Sequence, residues 1–150
     1  MENSAIIDAV VSHALTLGVF SSVNKHEPKS APENGYVAGM WVQSLGTSSR
    51  HSGLAVSGVR IVYRFRIYGR MLQEPQDEID PGLVEATDLF LNSLHGDFQL
   101  DDLVTAVDLL GQSGSAMAGQ AGYIKLGDGL YRVMDIDIPV IIADAWEQVP

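Results

Sequence analysis

Val59-Arg60-Ile61-Val62-Tyr63-Arg64-Phe65-Arg66-Ile67-Tyr68-Gly69-Arg70 is the stretch on which the reading of this chain turns. Successive side chains of a strand point to opposite faces, so Val59, Ile61, Tyr63, Phe65 and Ile67 share one face. Arg60, Val62, Arg64, Arg66, Tyr68 and Arg70 take the other. The first row predicts a surface that packs a core. The second asks for carboxylates or for another subunit, because clustered guanidinium groups need partners. Four of the chain's 9 Lys and Arg residues fall in that one row. With no catalytic constellation to compete, the pattern points to an assembly protein.

Carboxylates to meet that row stand in the last predicted strand. There Tyr131, Val133, Asp135 and Asp137 share a face, and Met134, Ile136, Ile138 and Val140 share the opposite one. Laid beside the arginine strand, Asp135 and Asp137 pair with Arg64 and Arg66, each pair contributing roughly 0.2–1 kcal/mol. The same arginines also suit acidic residues of a neighbouring subunit, Glu74, Asp77, Glu78 or Asp80; either way their role is structural. Strands over 59–70 and 130–142 would each reach about 40 Å at roughly 3.3 Å per residue. A domain of this size has a radius of gyration of only about 15 Å. Strands that long run past a core and leave edges to be covered.

Working outward, Asn3 or Ser4 caps a first helix with the stripe Ile6, Ile7, Val10, Val11, Ala14, Leu15 and Leu17, stopped by Gly18. A short strand over 19–24 and a proline-bearing loop over 25–35 follow. Residues 36–45 read as a strand covered on both faces, and 46–53 as a polar loop. Asp80-Pro81 opens a second helix with the stripe Leu83, Val84, Ala86, Phe90, Leu91 and Leu94, ended by Gly96. Residues 103–110 are ambiguous but favour a strand, and the Gly- and Ser-rich stretch 111–122 favours a mobile loop. Gly127-Asp128-Gly129 joins strands 123–126 and 130–142 in a hairpin. Nothing marks an internal repeat or a linker, so residues 1–150 read as one domain.

The composition, 46% hydrophobic and 19% charged over 150 residues, fits such a domain. A net charge of −10 argues against tight binding to a phosphate backbone. With no cysteine there is neither a disulfide nor a thiolate metal site. No apolar stretch approaches a membrane span, and Met1-Glu2-Asn3-Ser4 lacks the basic start of a signal peptide, so cytoplasmic synthesis is the expectation.

Catalytic, cofactor and metal sites are all expected to be absent. Asp135-x-Asp137 lacks a third ligand nearby, and arginines are its better partners. His13, His26, His51 and His95 have no ligand spacing, and no nucleophile elbow is present. The 111–122 stretch lacks the Gly-Lys-Ser/Thr ending and any basic residue, so it is no phosphate loop.

Several stretches resemble the tail terminators of long-tailed bacteriophages that infect actinobacteria. They are the N-terminal helix leading to Val23-Asn24-Lys25-His26-Glu27-Pro28-Lys29-Ser30-Ala31-Pro32, and Met71-Leu72-Gln73-Glu74-Pro75-Gln76-Asp77-Glu78-Ile79-Asp80-Pro81. Val107-Asp108-Leu109-Leu110-Gly111, Gln120-Ala121-Gly122-Tyr123 and the closing run from Tyr131-Arg132-Val133 to Asp144-Ala145-Trp146-Glu147-Gln148 match as well. The likeness covers nearly the whole chain and is one of overall pattern. It implies an α+β subunit: a mixed, mostly antiparallel sheet with two helices packed on it and long β-hairpins.

Such subunits assemble as a hexameric ring that caps the head-proximal end of the tail tube, stops its polymerisation and docks to the head–neck connector. The resemblance therefore implies a virion protein, made in the host cytoplasm, with the tail tube protein and the connector as partners and DNA passing through the lumen without specific binding. Another neck or head-closure ring component is the alternative; an enzyme or a generic binding module is the competing class. The interface candidates are the loops carrying Lys25, Lys29, Arg50 and His51, the row Arg60, Arg64, Arg66 and Arg70 with Asp135 and Asp137, and Trp146. That last side chain has few residues left in the chain to bury it and suits an anchor on another subunit.

Overall fold

The computed structural model describes residues 2–29, 35–48, 52–53, 55–70, 76–127 and 129–149, with the backbone alone at position 70. In chain order the elements are α1 (Asn3–Thr16), β1 (Phe20–Asn24), β2 (Tyr36–Ser48), β3 (Val56–Arg70), α2 (Ile79–His95), β4 (Ala106–Val107), β5 (Ala118–Leu126) and β6 (Gly129–Glu147). The fold is α+β, as the sequence suggests: a six-stranded sheet with two helices. Strand order is β1-β2-β3-β6, with β4 and β5 both paired to β6. Among the described residues, β1 and β2 run parallel and the other strand pairs are antiparallel.

The apolar row of β3 forms the centre of the core. Val59, Tyr63, Phe65 and Ile67 are fully buried and Ile61 nearly so, beside Ile136, Ile138 and Val140 of β6. The helices lie over this face through Ile6, Val10 and Ala14 of α1 and Leu83, Phe90 and Leu94 of α2. Phe65 stacks on Phe90 with centroids 4.1 Å apart and meets Phe20 edge-on at 5.8 Å. Alternation in β3 thus sets which side of the sheet recruits the helices.

Local chemistry moves several expected boundaries. Asn3 begins α1 but does not cap it; its Oδ1 accepts the Tyr63 hydroxyl hydrogen at 2.6 Å. The α2 helix starts at Ile79, and Asp80 in its first turn reaches out to Arg132. Val84 is exposed, and Thr87 takes its place on the buried stripe, its hydroxyl donating to the Leu83 carbonyl at 2.8 Å. Leu15 of α1 is also exposed.

The strand expected over 103–110 shrinks to Ala106–Val107. Before it, Leu100, Asp101 and Asp102 turn through positive φ of 48°, 54° and 66°, and the Asp97 carboxylate accepts the Asp101 N–H at 2.9 Å. After it, Asp108 accepts the N–H groups of Gln112 and Ser113 at 2.8 and 3.0 Å. Short acidic side chains compete here with the sheet ladder for the backbone, and win at both ends.

The glycine-rich loop is likewise shorter than expected, because residues 118–122 belong to β5. Residues 46–48 extend β2 rather than opening a loop. Only its first half is covered on both faces: 37–40 are buried, whereas 42–47 are exposed.

Candidate assembly interface

The face of the sheet turned away from the helices carries the charged row. Register places Arg64 opposite Asp137 and Arg66 opposite Asp135. Arg66 holds Asp135 through two bonds, Nε to Oδ1 at 2.5 Å and Nη2 to Oδ2 at 3.2 Å. Arg64 does the same to Asp137 at 3.0 and 3.4 Å, and its Nη1 lies 3.8 Å from Asp135. Glu27 adds a contact to Arg66 at 3.4 Å, and Trp41 lies beneath that guanidinium, 5.2 Å from ring centroid to carbon. Burial would lower the Arg66 pKa, but the hydrogen bond and charge of Asp135 outweigh it and hold the group above the ordinary arginine value.

At the upper end of the row, Arg60 is roofed by the 108–117 loop. Its Nη2 donates to the Ser115 carbonyl at 2.8 Å, and Asp108 lies at 3.9 Å. Gly114 lies against the guanidinium so closely that a Cβ there would sit 2.6 Å from its central carbon. Arg60, Arg64 and Arg66 therefore meet Asp108, Asp135, Asp137 and Glu27 within one chain. Their side chains are only 12–25% exposed, so these three offer little free positive charge to a phosphate or to a neighbour's carboxylates.

The other interface candidates are dispersed. Lys25 pairs with Asp8 of α1, both side chains exposed, a contact of little energetic weight. Lys29 is exposed. Arg70 pairs through its backbone with Tyr131. Trp146 lies opposite Ser57 near the end of β6 and is 40% exposed. Arg50 and His51 lie outside the described residues.

Two groups escape a reading based on spacing alone. Arg132 bonds Asp80 through Nε at 2.9 Å and lies 4.4 Å from the Tyr123 ring, tying the β5–β6 hairpin to the start of α2. Its signal was present: one cation in the otherwise apolar row Arg132, Met134, Ile136, Ile138. The second group is His13, whose ring nitrogens contact Ser93 Oγ and Asp97 Oδ2, both at 2.8 Å. The Asp101 N–H and then His13 hold the Asp97 carboxyl below its usual range. These three side chains have the composition of a catalytic triad. His13 of α1 reaches Ser93 of α2 and Asp97 just past its end, beside a hollow lined by His13 and Asp97. Among the described residues no group of three or more His, Asp or Glu is placed to hold a metal, and no helix is long and apolar enough to cross a membrane.

The margins of the sheet are its most open feature. β1 covers β2 only over 36–39, and β5 bonds β6 on one side alone. Among the described residues, 41–47 of β2 on the side away from β3, and β5 on the side away from β6, therefore have no strand beside them. Val42 and Leu45 on the first and Tyr123 on the second are 41, 51 and 62% exposed. No protein-family model matches the chain, and no curated protein matches it.

Proposed function

We propose that this chain is the subunit of a closed ring, a hexamer in the simplest case, that caps the head-proximal end of a phage tail tube, ends its polymerisation and meets the head–neck connector. The observation that carries the reading is the pair of open margins on one small sheet. Exposed strand edges invite pairing and are normally blunted or covered; copies joined margin to margin cover both, and a head-to-tail contact that closes makes a ring. The likeness of the sequence to tail terminators supports the head-proximal end of the tail tube as the place of that ring.

Charge supports the same reading. Arg60, Arg64 and Arg66 meet carboxylates of their own chain, and the chain as a whole stays at −10. An acidic bore repels phosphate, so DNA slides through without sticking.

Removing the gene from the phage tests the proposal. Tails longer than normal identify a terminator, whereas normal free tails beside open heads identify a head-closure component. Native mass spectrometry of the purified chain gives the stoichiometry, with one discrete oligomer expected.

A further inference from the structure

We infer that the free stretch of β2, residues 41–47, receives β5 of a second copy, antiparallel, so that the sheet continues from subunit to subunit. The inference rests on the ring reading for its closure, and on the strand register for its geometry.

Trp41, Arg64, Asp137 and Ala118 stand at one level across β2, β3, β6 and β5. From that level β5 runs toward the Tyr36 end of β2, while the free stretch of β2 runs the opposite way. The two open edges thus lie at diagonally opposite corners of the sheet. Neither carries a proline, and Lys125 is their one charged residue. A single bulge between Val42 and Ser44 is the only irregularity in the β2 stretch. Such edges are poorly protected against pairing, and they are of similar length, so each is a fitting partner for the other.

Direction follows from symmetry. Along the sheet, β2, β3, β6 and β5 alternate in direction. Rotation about an axis roughly along the strands keeps each direction, so β5 of one copy meets β2 of the next antiparallel, and the alternation continues. Joining diagonal corners also steps each copy along the strand direction. Tilted strands in a closed barrel carry that stagger.

The chain has no cysteine, which allows a direct test by disulfide formation. Ser44→Cys is mixed in turn with Ala118→Cys, Gln120→Cys and Gly122→Cys, positions that share the charged face of the sheet. A linked dimer in one of these mixtures, absent when Ser44→Cys is oxidised alone, is the expected result. A dimer from Ser44→Cys alone would mean that like edges pair, and would overturn the inference. An intact oligomer by native mass spectrometry with no linked mixture would overturn it too, while leaving the ring in place. A monomer at every concentration removes both. A linked oligomer from a phage whose deletion leaves tail length normal would keep the seam and remove the cap.

Discussion

Arg66 and Asp135 face each other across β3 and β6 in a two-bond contact, with Nε 2.5 Å from Oδ1 and side chains 12 and 24% exposed. Two residues along each strand, Arg64 and Asp137 repeat the geometry at 3.0 Å but with 25 and 42% exposure. Water screens the second pair more. Double-mutant cycles to alanine, read by chemical denaturation, should give a coupling of about 1 kcal/mol for Arg66–Asp135 and less than about 0.5 kcal/mol for Arg64–Asp137. Arg64→Glu should weaken folding, and Asp137→Lys in the same chain should partly restore it. Couplings near zero, or no rescue, would remove the ladder as a stabilising feature, and equal couplings would remove the ranking by exposure.

Phe65 lies between two rings, Phe20 of β1 and Phe90 of α2. It has no solvent exposure, and it is held between Phe20 of β1 and Phe90 of α2, so relaxation into a cavity is restricted. Phe65→Ala should cost about 3–5 kcal/mol. A thermal or denaturant midpoint shifted by much less would mean α2 is not anchored through this ring.

Tyr63 makes stability depend on high pH. Burial pushes its phenol from 10.0 up to about 12. Above pH 10 the unfolded chain loses this proton while the folded chain keeps it, so the unfolded state gains and stability falls until about pH 12. Below pH 10 there is no slope from this group. Tyr63→Phe should flatten the alkaline limb of a denaturation profile, partly rather than wholly, because burial also raises Tyr36 and Tyr68. It should also lower stability at neutral pH by about 1 kcal/mol through loss of the bond to Asn3.

Gly39 lets the segment after β1 cross the charged face. A Cβ there would lie 2.6 Å from Pro28 Cδ and 2.8 Å from the His26 carbonyl oxygen. Gly39→Ala should therefore cost about 1–3 kcal/mol, lift residues 26–28 and break the Glu27–Arg66 contact. Hydrogen exchange speeding at residues 25–27 checks it; unchanged protection there would contradict the crowding.

Strand alternation in 59–70 determined by itself which residues of β3 face the core, because the side-chain period of a strand is two and needs no tertiary information. The same rule placed Asp135 and Asp137 on one face of β6, and the hairpin at residues 127–129 was legible from its turn residues. Three features were decided only by the tertiary structure. Register brought Arg64 and Arg66 onto carboxylates of their own chain, and no local pattern specifies which residues of two distant strands stand opposite. Asp97 and Asp108 bent the backbone around β4 by capping it, overriding the β-branched composition of 103–110. Finally, β1 pairs β2 only over 36–39, so the exposure of residues 42–47 and the open corner they form came from strand pairing that no local pattern specifies. A one-dimensional pattern states what each face prefers; only the assembled layers state which stretch is left without a partner.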